Sequence, residues 1–211
     1  MFKAAVVLII TFLLFSTFIT TGFAQDWEWA FGIKGSDFDY SSAIATDVDG
    51  NIYIAGYFSS PNISFNSLTF QNKGGEDIFI AKFDNSGNVI WVKTFGGEGN
   101  DRAIAIVADK DNNLVLTGSF ESPALAFMSF GLINRGGGDL FICKFTSDGD
   151  VIWAKSYGGS SYEEPTTIAT DLHGNIIIGG EVSGDSFIIG SDTLKNSAIG
   201  YNGISDIFIA K

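Results

Sequence analysis

The stretch Asp77-Ile-Phe-Ile-Ala-Lys-Phe-Asp-Asn-Ser-Gly-Asn-Val-Ile-Trp91 returns as Asp139-Leu-Phe-Ile-Cys-Lys-Phe-Thr-Ser-Asp-Gly-Asp-Val-Ile-Trp153, and its first six residues return again as Asp206-Ile-Phe-Ile-Ala-Lys211. Apolar residues run or alternate on either side of an Asp/Asn/Gly cluster, which is the punctuation of a β-hairpin. Outward from this stretch the columns stay in step. Trp29, Trp91 and Trp153 are spaced by 62, as are Asp47, Asp109 and Asp171, and the Gly96-Gly97 pair returns as Gly158-Gly159. Self-similarity at this period marks a repeat architecture in which each unit buries its apolar face against the next. Asp139 to Asp206 is 67 residues, so the third copy carries five extra residues around Ser191 to Tyr201, which places them in a loop.

Within a copy, Phe79 to Phe83 and Val89 to Lys93 flank one turn, while Ala103 to Ala108 and Leu114 to Gly118 flank Asp109-Lys-Asp-Asn-Asn113. A looser apolar piece, Leu125 to Ile133, leads through Gly136-Gly137-Gly138 into the next copy. After Ala24 no segment carries helical periodicity over ten residues. Four strands per unit, with room for a further short one, is the pattern of a propeller blade. The expectation is an all-β β-propeller of three four-stranded blades of 62–67 residues, covering approximately 25–88, 89–150 and 151–211. The Trp column is expected to pack between neighbouring blades, and the Gly56, Gly118 and Gly180 column to mark close backbone approach.

The pattern Asp-Ile-Phe-Ile-Ala-Lys-Phe-Asp-Asn-Ser-Gly-Asn-Val-Ile-Trp, then Phe-Gly-Gly, then Ala45-Thr-Asp-Val-Asp-Gly-Asn-Ile-Tyr-Ile-Ala-Gly-Tyr-Phe58, resembles the bacterial SBBP β-propeller repeat family across Gln25 to Lys211. That resemblance implies an exported propeller, often within a long repeat protein, and brings no catalytic residues. A quinoprotein motif, Ala-x-Asp-x-x-Thr-Gly-x-x-x-Trp, matches at Ala81, Ser86, Gly87 and Trp91, but Phe83 stands where its Asp belongs. We read that overlap as shared blade geometry.

The chain opens with Lys3 and an uncharged apolar run from Ala4 to Ala24, ending Gly22-Phe23-Ala24 before Gln25-Asp26. This is the pattern of a secretory signal peptide over 1–24, and the small residues before the polar junction favour cleavage over a membrane anchor. No Cys follows the run to take a lipid. The expected location is outside the cell or at its surface. A net charge of −12 disfavours nucleic acid and, once the signal is removed, an anionic membrane surface. The 26 Gly, 3 Pro and 14% aromatic residues fit many short strands and tight turns. Cys143 is the single cysteine, so no internal disulfide forms, and its place in an apolar run marks it as a small core residue.

No catalytic, cofactor-binding or metal-binding residue is assigned. Asp47-Val-Asp49-Gly50-Asn51 looks like the start of a calcium loop, but Phe58 stands at the required twelfth position and the third copy has His173 for the second carboxylate. A Gly/Asn-rich turn accounts for all three copies. His173 has no second ligand nearby in sequence. Glu163-Glu164 is an acidic pair of the kind glycosidases use, yet neighbours on an extended chain point to opposite faces, so a solvated loop is expected there. The function these features favour is a non-enzymatic exported scaffold or binding module for proteins or glycans; the alternative is part of an extracellular hydrolase. Trp27 to Phe31 and Phe208 to Lys211 read as complementary halves of one hairpin. Three blades are fewer than the four to eight of ordinary rings. The expectation is therefore further blades in the same chain, or self-association into a larger ring.

Overall fold

The computed structural model describes residues 26–196 and 205–211. The segment 1–24, expected to be a signal peptide, and part of the third-copy insertion lie outside the described residues. Among the described residues there is no helix, and every sheet is antiparallel.

The first sheet contains β1 (Asp39–Thr46), β2 (Ile52–Phe58), β5 (Asp77–Phe83) and β6 (Val89–Phe95), hydrogen-bonded in that order. The second repeats it with β7 (Asp101–Ala108), β8 (Leu114–Phe120), β11 (Asp139–Phe145) and β12 (Val151–Tyr157). The third contains β13 (Glu163–Thr170), β14 (Ile176–Val182) and β17 (Asp206–Ala210), with no fourth strand among the described residues. These are three successive propeller blades, the third with three strands rather than the expected four, and no sheet closes on itself. The blades are offset by one strand from the sequence copies, because Val89–Phe95 pairs with Asp77–Phe83 and not with Asp101–Ala108.

Between the second and third strands of each blade sits a small separate hairpin: β3 (Asn62–Phe65) with β4 (Leu68–Gln71), β9 (Ala124–Phe127) with β10 (Phe130–Ile133), and β15 (Ser186–Ile189) with β16 (Asp192–Lys195). The apolar piece at Leu125 to Ile133 is thus two strands joined by a two-residue turn at Met128-Ser129. Ile63, Leu125 and Phe187, again 62 apart, are buried and pin each hairpin to its sheet. The attachment is aromatic on aromatic: Phe65 meets Phe79 at 5.5 Å, Phe127 meets Phe141 at 5.0 Å and Phe187 meets Phe208 at 5.1 Å between ring centroids.

The first strands β1, β7 and β13 lie side by side at the inner ends of the blades. Each carries a bulge, between Ser41 and Ala43, Ala103 and Ala105, and Pro165 and Thr167. Opposite each bulge is the glycine column. A Cβ on Gly118 would stand 1.9 Å from the Arg102 carbonyl oxygen and 2.8 Å from the Phe141 ring, so the close approach read from the sequence is what the fold builds. The inter-blade core between the first two blades joins Ile80, Phe95, Leu116, Phe127, Cys143 and Phe145, with Cys143 fully buried and its thiol pKa pushed up by desolvation.

Candidate functional site

Each blade presents two ends with different chemistry. At one end lie only the tight turns: 47–51, 109–113 and 171–175 between first and second strands, and 84–88 and 146–150 between third and fourth. At the other lie the inserted hairpins and the blade-to-blade connections.

The first-to-second-strand turns are built by one aspartate. Asp47 Oδ1 accepts from the amides of Asp49 (3.0 Å) and Asn51 (2.9 Å), while Oδ2 accepts from the Asn51 side chain at 2.8 Å. Asp109 and Asp171 repeat the two amide bonds, and each adds an ion pair at 2.7 Å, to Lys144 and Lys211. In the first blade the Tyr53 hydroxyl takes that place on Asp47 at 2.9 Å, and Lys82 instead donates to the Ser147 carbonyl of the next blade. Hydrogen bonding to the ionised form holds Asp47, Asp109 and Asp171 below the ordinary carboxylate range, against the desolvation that is the largest single influence on the first two. These carboxylates close their own turns, as a Gly/Asn-rich turn requires. What the turns leave outward are their tips: Val48-Asp49, Lys110-Asp111 and Leu172-His173, with Val48 82% and Leu172 92% exposed. His173 sits here, its side chain outward and its amide on Asp171 at 2.9 Å. Neighbouring tips touch, since Asn112 Nδ2 donates to Asp49 at 3.2 Å.

The opposite end holds buried carboxylates. Glu163 is fully buried at the start of β13 while Glu164 is exposed, so the two do face opposite ways. The solvated loop expected there is not what forms. Glu163 is the counterpart of Asp39 and Asp101, a column at spacing 62 that was visible in the sequence and missed because its third member changes residue type. Asp101 accepts from the Ser122 hydroxyl at 2.7 Å and the Gly97 amide at 2.8 Å; Glu163 accepts from the Gly159 amide at 2.9 Å. A second column, Asp77 and Asp139, packs against Gly96 and Gly158, where a Cβ would come within 2.1 Å of the carboxyl group. Asp77 approaches Asp101 across one blade boundary and Glu163 approaches Asp139 across the next. Burial first, then the neighbouring carboxylate, raises Asp77 to about 6 and Glu163 to about 7, although an amide bond to each opposes the shift. Asp77 Oδ1 and Glu163 Oε1 have no partner. Carboxylates from different blades therefore meet inside the protein, where Asp101 and Glu163 accept from the Gly97 and Gly159 amides of the connections between blades, and their own backbone amides add bonds to Glu76 O at 2.6 Å and Gly138 O at 2.9 Å.

The Trp column fastens the other end. Trp29 Nε1 donates to Asn85 O at 3.1 Å and Trp91 Nε1 to Ser147 O at 3.2 Å, each on the turn of the following blade. Trp153 has no such turn beside it among the described residues and instead lines a cleft of about 560 Å³ with Ile142, Tyr157, Ile178 and Ile209.

No family model matches the chain. It is similar to an uncharacterized WD repeat-containing protein of Acanthamoeba polyphaga mimivirus, 30% identical over 129 residues, which is 56% of this chain and 9% of that protein. It is also similar to the regulatory protein FlaEY of Caulobacter vibrioides, 23% identical over 144 residues, 66% of this chain and 15% of that protein. The chain thus spans a small part of either relative. Together with the blades, the first likeness defines a propeller-type repeat protein.

Proposed function

We propose that this protein is an exported, non-enzymatic propeller scaffold of the SBBP repeat type, binding proteins or glycans at the cell surface through its turn-tip end. The observation that carries this is a division of labour inside each turn. Asp47 with Asn51, Asp109 with Asn113 and Asp171 with Asn175 do the folding in all three copies. The residues between them change from Val-Asp to Lys-Asp to Leu-His and point outward. A surface whose frame is fixed and whose tips are free to differ is suited to recognition. The similarity to a WD repeat-containing protein supports a repeat scaffold, and the apolar segment before Gln25 together with the acidic character supports export. The carboxylates that could have served a hydrolase lie in the interior, each held on a backbone amide, so no observation favours that alternative.

The test is binding of the purified protein to a glycan panel and to surface proteins of the producing cell. The triple variant Val48→Ser, Lys110→Ser, Leu172→Ser is expected to lose at least about 10-fold in affinity at unchanged melting temperature. Binding indifferent to all three tips would refute the assignment of that end.

A further inference from the structure

The two blade boundaries are built from the same columns but leave different carboxyl oxygens unsatisfied. In the first, Asp101 is complete: it accepts from the Ser122 hydroxyl at 2.7 Å, the Ser122 amide at 3.2 Å and the Gly97 amide at 2.8 Å. Its neighbour Asp77 accepts from the Lys73 amide at 3.1 Å, and Oδ1 is left over. In the second boundary the roles are exchanged. Asp139, the counterpart of Asp77, is complete because Arg135 stands where the first blade has Lys73; the Arg135 amide donates to Oδ1 at 3.0 Å and its guanidinium to Oδ2 at 2.8 Å. Glu163, the counterpart of Asp101, accepts from the Gly159 amide at 2.9 Å, and Oε1 is left over.

Three coupled replacements produce this exchange. Gly99, Asp101 and Ser122 become Ser161, Glu163 and Gly184, each at spacing 62. In the first set the Ser122 hydroxyl accepts from the Gly99 amide at 2.9 Å and donates to Asp101. In the second set position 184 has no hydroxyl to donate. The longer Glu163 side chain reaches toward it, with Oε1 3.8 Å from where a Gly184 Cβ would stand, and Ser161 pairs with Ser183 at 3.4 Å.

Asp77 and Glu163 are both 0% exposed. A buried carboxylate oxygen without a donor is costly, and a neutral carboxyl group is much less so. The charged groups on the elements around Asp77 are Lys73, Glu76 ion-paired with Arg102, Glu98 and Asp101. Around Glu163 they are Asp139 ion-paired with Arg135, Glu121, Glu164, Glu181 and Asp185. Burial is the largest influence on both buried groups. Beyond it, Lys73 favours the charge on Asp77 and Asp101 opposes it, while the Gly159 amide favours the charge on Glu163 and Asp139 opposes it.

We infer that each boundary holds one buried proton, on Asp77 in the first and on Glu163 in the second, and that release of this proton to solvent opens the joint between the two blades. Ionisation leaves an unsatisfied carboxylate beside a second one, and water is the nearest source of donors. Hydrogen bonds that cross the boundary are then given up: Asp101 N to Glu76 O at 2.6 Å and Gly75 N to Gly99 O at 3.2 Å in the first, Glu163 N to Gly138 O at 2.9 Å and Gly137 N to Ser161 O at 2.8 Å in the second. Each blade keeps its own sheet, because interfaces between repeats open separately from the repeats themselves. Both groups bind their proton more tightly when the joint is closed. The joint is therefore closed in acid and loosens as pH rises through about 6 at Asp77 and about 7 at Glu163.

The test is amide hydrogen exchange on the full chain at about pH 5 and about pH 8, corrected for the intrinsic pH dependence of exchange. Protection of the Asp101 and Gly75 amides, and of the Glu163 and Gly137 amides, is expected to fall about 10-fold, while amides inside β8 and β11 keep theirs. Lys73→Arg gives the first boundary the cation of the second, and is expected to abolish the fall at Asp101 and leave that at Glu163. The triple variant Ser161→Gly, Glu163→Asp, Gly184→Ser restores the first boundary's set in the second and is expected to do the reverse. Glu163→Gln, neutral at every pH, is expected to match the triple variant and replaces it where that variant does not fold. Equal protection at both pH values, a loss spread evenly through the blade interiors, or a fall unchanged by these replacements overturns the proposal.

Discussion

The buried carboxylates set how the stability of this protein responds to pH. Asp77 and Glu163 have folded-state pKa values raised by burial to about 6 and about 7. Such groups hold their proton more tightly folded than unfolded. Their contribution is fully present below the ordinary carboxylate value and is lost as pH rises through the folded value. Asp47 and Asp109 behave oppositely, since their turn hydrogen bonds favour the ionised form, and their contribution is lost as pH falls below about 4. Stability measured by urea titration is therefore expected to peak near pH 5 and to fall by on the order of 1–2 kcal/mol per buried group between pH 5 and 8, after allowance for screening. Glu163→Gln is expected to flatten the alkaline limb, and a limb unchanged by it would show that Glu163 is already ionised at pH 5. At Gly118 the constraint is steric: Gly118→Ala sets a Cβ against the Arg102 carbonyl and the Phe141 ring, and is expected to cost about 3 kcal/mol in the same titration. The Gly and Trp columns were legible because a spacing of 62 exposes them in the bare sequence. The carboxylate column was not, because Asp39, Asp101 and Glu163 differ in type and acidic residues are by default taken as solvated.

At the scale of elements, the inserted hairpins carry as much of the packing as the blades. Four-residue strands are too short to be stable alone. They hold because Ile63, Phe65, Leu125, Phe127 and Phe187 are all buried beneath them. Phe127 touches Phe95 of the first blade at 4.7 Å and Phe141 of the second at 5.0 Å, so it joins two blades through one ring. Phe127→Ala is expected to destabilise the protein by about 3–5 kcal/mol, measured by thermal or denaturant unfolding, and much more than Ile133→Ala on the exposed side of the same hairpin. The hairpins were only half legible. Their apolar alternation shows in the sequence, but Met128 at a φ of 55° and Asn66 at 54° place two-residue turns where no Gly announces one. The main hairpins, by contrast, follow from their Asp/Asn/Gly turns almost residue for residue. The strand expected at Trp27 to Phe31 shows the limit of local pattern: the residues have the alternation of a strand, but strand pairing needs a neighbour, and among the described residues none lies beside them within the chain.

At the scale of the molecule, two features recur at both blade boundaries among the described residues, an aromatic hairpin over the third strand and a carboxylate pair at the opposite end, while a Trp on the next turn is seen at the first. Repeat proteins gain stability from such nearest-neighbour contacts, and their terminal units need capping. Among the described residues Phe38 and Ile44 of the first blade and Ile207 and Ile209 of the third are exposed. The direct measurement is electron microscopy of the purified protein, averaging particles viewed down the axis on which β1, β7 and β13 converge. Blades arranged radially about that axis are the predicted result; strands stacked as a two-layer sandwich would contradict it.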